Sequence, residues 1–276
     1  MREEWQALIE LAVREDLGPN DATGDLVRSR DGSFVLRSRQ AGILAGAVLI
    51  PAVLTRVAAE IGAPVPGYSP LLEDGANLEP KTAIGLLGGN TRCVLAAERI
   101  LLNFVTHLSG VATATASCVL AAAGKAVIRD TRKTLPGYRS LEKYAVTCGG
   151  GQNHRMGLYD AILIKDNHLA LEPMGELLAR ARATHPELPV EVEVDSLEQL
   201  KQAICLAVPL VLLDNFPVPE IYEAVKLAKG TATRLEVSGG VVLSAIPELA
   251  ATGVDYLAVG QITHSAPALD IGLDEA

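Results

Sequence analysis

The sequence predicts an α/β protein: a small α+β unit, then a series of parallel βα units wound as a barrel of TIM type. A doubly wound sheet is the alternative. Six short aliphatic runs recur through the second half: AVIRD from Ala126, AILIKD from Ala161, VEVEVD from Val190, LVLLDN from Leu210, RLEVSGG from Arg234 and YLAVGQ from Tyr256. Helical stretches such as SLEQLKQAICLA and PEIYEAVKLAKG lie between most of them, the rhythm of parallel strands joined by crossover helices. Hydrophobic residues fill 49% of 276 positions but aromatics only 4%, so Val, Leu, Ile and Ala must form the core, as buried parallel strands require.

The first third has a different order. Trp5, Leu8, Ile9, Ala12 and Val13 form a helical stripe that DLGPND, Asp16 to Asp21, interrupts. Ser33 to Gly46 reads as a strand-like stretch punctuated by Gly42 and Gly46. PAVLTRVAAEIG, Pro51 to Gly62, has proline at a helix start and glycine at its end. Gly67 to Arg92 reads as short strands joined by turns, and a long helix is expected from about Val94 to Leu108, with HLSGVATATA marking a helix junction.

A net charge of −9 argues against nucleic acid or an anionic membrane as partner. No window reads as the roughly 18 apolar residues a bilayer span needs. The N-terminus is acidic and amphipathic, unlike a signal peptide, and the four scattered cysteines have no metal-ligand spacing, so a reducing, cytoplasmic setting is expected.

The chemistry gathers where the apolar runs end. In order these ends carry Asp130, Arg132 and Lys133; Lys165 and Asp166; Glu193 and Asp195; Asp214 and Asn215; Glu236 and Ser238; Gly260 and Gln261. In a parallel barrel such ends ring one mouth, where active sites sit. Arg132, Lys133, His154, Arg155 and Lys165 supply positive charge, while Glu193 and Asp214 supply two carboxylates. That combination suits an anionic substrate held with a divalent metal such as Mg, which takes one or two carboxylates and substrate oxygens. Ser238, Gly239, Gly240 and Gly260 offer small residues whose backbone can approach a phosphate closely. The triple glycine of CGGGQNHRMG predicts a loop that passes close to something and places His154 and Arg155.

DTRKT from Asp130, PGYR from Pro136, EKYAV from Glu142 and CGGGQNHRMGLYDAILIKDNH from Cys148 resemble the quinolinate phosphoribosyltransferases. So do EVEVDSLEQL, LLDN, LEVSGG, GQITHS, HLSGVAT and EDLGPNDATGDL, in the same order along nearly the whole chain. The resemblance implies an N-terminal α/β sandwich domain, residues 1–104, rejoined by the tail 268–276. An open, seven-stranded α/β barrel of TIM type follows at 105–267. It implies phosphoribosyl transfer to quinolinate with decarboxylation, in de novo NAD biosynthesis, by a Mg-dependent homodimer with shared active sites. Arg132, His154, Arg155 and Lys165 would grip quinolinate, with Arg99 reaching in from the neighbouring subunit. Thr131, Lys133, Glu193 and Asp214 would address phosphoribosyl pyrophosphate, the two carboxylates also serving Mg. Ser238, Gly239, Gly240, Gly260 and Gln261 would bind its 5′-phosphate, with His264 close by. Lys133, Lys165, Glu193 and Asp214 would be the catalytic set.

The chain departs from the family's usual residues at Ile100, Leu101, Thr106, Leu135, Tyr138, Phe216 and Gln261, none of them a charged group in this scheme. The competing readings are a molybdenum-transport-associated homologue, a nicotinate phosphoribosyltransferase, a Schiff-base aldolase using Lys165 and a non-catalytic barrel.

Overall fold

The computed structural model describes residues 2–19, 21–26 and 30–276; Asn20, inside the expected helix break at DLGPND, lies outside them. The described residues fall into two compact units. The first comprises Met1–Ala116, Leu135–Gly150 and Ser265–Ala276; the second comprises Ser117–Thr134 and Gly151–His264.

In the first unit, helix Glu3–Leu17 buries Trp5, Ile9, Val13 and Leu17, the i, i+4 spacing of a single stripe. Strands β1 (Asp31–Ser38), β2 (Gly42–Ile43), β3 (Gly67–Pro70), β4 (Asn77–Leu78) and β5 (Ala83–Asn90) follow the expected blocks. Helix Ile50–Ile61 has proline in its first turn and ends at Gly62, whose φ of +63° favours a residue without Cβ. The tail of the chain returns as the last strand (Ile271–Glu275), pairing antiparallel with β1 from Phe34↔Glu275 to Ser38↔Ile271. It forms the edge of a four-stranded sheet that continues from β1 to β5 and β3.

The long helix corrects two expectations. It runs from Thr91 to Ala122 without a junction at HLSG. Ser109 and Gly110 resemble boundary signals, but both are there for close packing. Ser109 Oγ donates to the Ala45 carbonyl and accepts from the Ala45 N–H. A Cβ on Gly110 would stand 2.1 Å from the Pro267 carbonyl oxygen, so only glycine lets the returning tail lie against the helix. By length and composition this helix is apolar enough to cross a membrane, contrary to the reading that no window qualifies. Half of that window is buried in the protein. Ile100, Leu101, Phe104, Val105, Leu108 and Val111 of this helix are buried in the core.

The second unit holds β6 (Val127–Arg129), β7 (Ile162–Ile164), β8 (Val190–Val194), β9 (Leu210–Asp214), β10 (Arg234–Ser238) and β11 (Tyr256–Ala258). These are the six aliphatic runs. The sheet order is β6-β11-β10-β9-β8-β7, all parallel. The first strand therefore neighbours the last, and the others follow in sequence. A doubly wound sheet reverses direction at an internal switch point, so this winding excludes that alternative.

Among the described residues the sheet has six strands, not seven. The segment between β6 and β7 contributes one isolated parallel bridge, Arg129↔Gln152, too short to count as a strand. The intervening helices form as expected: Leu197–Cys205 is capped by Ser196, whose side chain accepts from the Gln199 N–H, and Val218–Ala228 starts with Pro219 in its first turn.

Candidate active site

A strand alternates its side chains between two faces, and the alternate residues at the strand ends of the second unit line one cavity of about 470 Å³. Thr131, Arg132 and Lys133 follow β6, Lys165 follows β7, Glu193 lies on β8 and Asp214 ends β9. Ser238, Gly239 and Gly240 come from the end of β10, and His154 and Arg155 come from the loop before β7. A smaller cavity of about 200 Å³ shares Thr131, Lys133 and the Ser238–Gly240 turn, and adds Gly260, Gln261 and His264.

Every residue expected at the site therefore lines one or other cavity, except Arg99. Arg99 is exposed on the helix Thr91–Ala122 and lines neither.

Local geometry fixes these groups. Lys165 Nζ lies 2.5 Å from Glu193 Oε2. The Lys165 N–H donates to His168 Nδ1 at 2.9 Å, which holds the turn from β7 into the short helix Asp166–Leu169. Asp214 Oδ2 accepts from Asn215 Nδ2 at 2.8 Å. Asn215 has a φ of +56°, a conformation asparagine tolerates, and its N–H reaches the Ser238 carbonyl at 3.0 Å. Gly239 has a φ of +93°, and a Cβ there would stand 2.2 Å from Asn215 Oδ1. The β9 and β10 turns thus interlock through a glycine that admits no side chain. Thr263 Oγ1 donates to the Lys133 carbonyl at 2.7 Å, tying the Thr131–Lys133 segment to the turn after β11.

Burial, with the nearby Arg132 charge, holds the Arg155 pKa below its ordinary value. A guanidinium whose charge is disfavoured by burial and by a cationic neighbour is set up to receive anionic groups. Burial lowers the pKa of His154, but its hydrogen bond to Glu191 and the charges of Glu191 and Glu236 outweigh that and raise it. Nε2 of His154 stands 2.7 Å from Glu191 Oε2, and Nδ1 accepts the Arg155 N–H at 2.8 Å. In its neutral form the ring therefore carries its proton on Nε2.

Glu191, Arg129 and Glu236 form a charged layer at the base of the cavity, with Glu236 among its lining residues; of the three, the strand-end reading named only Glu236. The signal was present: in VEVEV, Glu191 shares a face with Glu193, and in RLEVS, Glu236 shares one with Ser238. The triple-glycine reading fits the structure, since a Cβ on Gly149 would stand 2.3 Å from the Ala112 carbonyl oxygen. All four cysteines are free, and Cys93 and Cys118 are buried.

Glu193 and Asp214, on adjacent strands and facing one cavity, provide the hard oxygen donors that Mg accepts. A second group, His154, Glu191 and Glu236, has ligand atoms within 4.8 Å of one another. His154 Nε2 is hydrogen-bonded to Glu191 Oε2 at 2.7 Å and stands 3.6 Å from Glu236 Oε1, and Arg129 already occupies Glu236 Oε2 at 2.7 Å, so the group reads as an internal network.

A parallel six-stranded sheet whose strand ends pair cations with two carboxylates, beside a glycine-lined pocket, defines an α/β class suited to phosphate-bearing anionic substrates. Comparison with known proteins narrows the class. Residues 21–109 match the family model for the quinolinate phosphoribosyl transferase N-terminal domain, and residues 111–274 match that for its C-terminal domain. The chain belongs to the quinolinate phosphoribosyl transferase family.

A nicotinate-nucleotide pyrophosphorylase [carboxylating] of Mycobacterium leprae is 49% identical over 249 residues, covering 88% of this chain and 85% of that protein. A probable enzyme of the same name from Bacillus subtilis is 38% identical, covering 94% and 89%. The solved nicotinate-nucleotide pyrophosphorylase of Francisella tularensis superposes with a TM-score of 0.92 at 37% identity, covering 99% and 96%.

Proposed function

We propose that this protein transfers the phosphoribosyl group of phosphoribosyl pyrophosphate to quinolinate, releasing pyrophosphate and carbon dioxide and forming nicotinate mononucleotide for de novo NAD biosynthesis. The observation that carries this reading is the joint placement of Arg132, Arg155 and Lys165 with Glu193 and Asp214 around one cavity.

Quinolinate is a dianion, and paired guanidiniums with a lysine match two carboxylates better than one. His154 stands at the inner end of that cationic wall. Lys133, Thr131 and the two carboxylates face phosphoribosyl pyrophosphate, and the Ser238–Gly240 and Gly260–His264 turns receive its 5′-phosphate. The pyridine nitrogen attacks ribose C1 as the C1–O bond to pyrophosphate breaks, through a transition state with oxocarbenium character. Lys133 stabilises the leaving pyrophosphate, and a carboxylate favours the positive ribose. The C2 carboxylate then leaves as carbon dioxide, its bonding electrons pass to the ring, and a proton takes its place. Mg bound at Glu193 and Asp214 would supply further positive charge to the pyrophosphate.

The sheet itself we read as an open α/β barrel, with Gln152 marking where a seventh strand begins to pair. We propose a cytoplasmic setting, which the four free cysteines support. We also assign a homodimer in which exposed Arg99 completes the partner's quinolinate site. Mixing Arg99→Ala with Arg132→Ala protomers tests this: regained activity supports a shared site, and none contradicts it. Substrate choice is tested by supplying quinolinate and nicotinate separately with phosphoribosyl pyrophosphate and Mg. Product from quinolinate alone supports the dicarboxylate assignment, and equal use of nicotinate contradicts it.

A further inference from the structure

At the base of the substrate cavity lies a layer of charge, reaching the lining at Glu236, that the reaction scheme leaves without a task. Glu191 on β8 is 5% exposed and Glu236 on β10 is fully buried. Two buried carboxylates this close are costly unless each is paired. Arg129 on β6 donates to Glu236 Oε2 at 2.7 Å, and its guanidinium also lies 3.8 Å over the Tyr256 ring. The remaining partner is His154, with Nε2 2.7 Å from Glu191 Oε2 and 3.6 Å from Glu236 Oε1.

The other side of the imidazole leads upward. Nδ1 accepts the Arg155 N–H at 2.8 Å, and the His154 N–H donates to buried Asp130 at 2.9 Å. The ring is thus gripped at both nitrogens, and the path from Glu191 through the imidazole ends on the main chain of Arg155. Arg155 Nη1 donates to the Ala161 carbonyl at 3.3 Å and its buried Nε has no partner among the described residues, so the position of its backbone helps set the aim of the guanidinium.

We propose that Glu191 and Glu236 are positioning residues: acting through His154, they fix the His154–Arg155 step so that the Arg155 guanidinium meets a substrate carboxylate. The proposal rests on reading the cavity as the quinolinate site. A hidden metal site at the same three side chains is the weaker alternative. Arg129 already compensates Glu236, and the Nε2 proton of His154 already serves Glu191.

The chemistry separates two substitutions at one position. Glu191→Gln keeps an oxygen that can accept from Nε2 but removes the charge; Glu191→Ala removes both. The test is steady-state kinetics of the parent enzyme, Glu191→Gln, Glu191→Ala and Glu236→Gln with each substrate varied in turn. Glu191→Ala should raise the quinolinate KM roughly 10- to 100-fold, the weight of a charge-assisted hydrogen bond. Glu191→Gln should recover part of that loss, and the KM for phosphoribosyl pyrophosphate should stay unchanged in all three variants. Should Glu191→Ala fail to fold, the near-isosteric Glu191→Gln and Glu236→Gln carry the comparison.

A second readout does not depend on turnover. The chain has five histidines, so the ring nitrogens of His154 can be assigned in a ¹⁵N-histidine spectrum by their loss in His154→Gln. They should report an Nε2 proton and an accepting Nδ1, and Glu191→Gln should move them alone. Equal KM rises for both substrates, no KM change, or His154 signals that ignore Glu191→Gln would each overturn the proposal. A parent enzyme inactive toward quinolinate would instead overturn the activity reading, with the nitrogen spectrum still deciding whether the tether exists.

Discussion

Lys165 and Glu193 form an ion pair across the ends of neighbouring strands, Nζ to Oε2 2.5 Å, with the lysine side chain 41% exposed and the glutamate 11%. Without substrate, the cation of one strand end neutralises the carboxylate of the next. The lysine end of the pair is open to water while Glu193 is buried, so an arriving dianion can draw the lysine away. Lys165→Ala should raise the quinolinate KM on the order of 10- to 100-fold, the weight of one charge-assisted contact. Glu193→Gln should act in the other direction: it frees Lys165, leaves the quinolinate KM no higher, and impairs the use of phosphoribosyl pyrophosphate. Initial-rate measurements with each substrate varied check both.

Arg132 and Asp214 stand on opposite walls of the same division of labour. Arg132→Ala should raise the quinolinate KM roughly 10- to 100-fold with little change for phosphoribosyl pyrophosphate. Asp214→Ala should reverse that pattern and raise the Mg concentration needed for half-maximal rate. Matched losses for both substrates in either variant would contradict the assignment.

Gly239 is predicted to tolerate nothing larger. Its φ of +93° and a would-be Cβ 2.2 Å from Asn215 Oδ1 make Gly239→Ala strained on two counts. The expected cost is about 1–3 kcal/mol of stability, read as a lower thermal midpoint. Because Asn215 hydrogen-bonds Asp214, the KM for phosphoribosyl pyrophosphate should rise in parallel.

The buried layer makes a prediction about pH. Burial, then the neighbouring Glu191 charge, pushes the Glu236 carboxyl up to about 7 from an ordinary 4.5. A group whose folded pKa is raised contributes stability that is complete below its unfolded pKa and lost as pH rises through its folded one. The contribution of Glu236 therefore disappears between about pH 4.5 and 7. Glu236→Gln should flatten the decline of the thermal midpoint across that window relative to the parent; identical pH profiles would show that Glu236 does not titrate there.

The sheet and most of the site were legible because both obey short-range rules. An aliphatic run ending in a charge, repeated from AVIRD to YLAVGQ, announces parallel strands and one charged mouth together. Ser109 and Gly110 misled because residues that usually end helices were serving a tertiary contact with Ala45 and Pro267. Arg129 and Glu191 were harder to recognise as part of the site because they lie within the strands, and Glu236 was read only as the end of an apolar run. The period-2 alternation of VEVEV and RLEVS places Glu191 and Glu236 on the cavity side. The seventh strand was expected from the family resemblance and not from an aliphatic run of its own: six runs give six strands, and between β6 and β7 the described residues add one bridge, Arg129↔Gln152.

The central claim is most directly tested with quinolinate labelled in its C2 carboxylate, mixed with phosphoribosyl pyrophosphate and Mg. The account predicts labelled carbon dioxide, pyrophosphate and unlabelled nicotinate mononucleotide in equal amounts. Folded protein that forms none of the three, or a nucleotide that keeps the label, would contradict it.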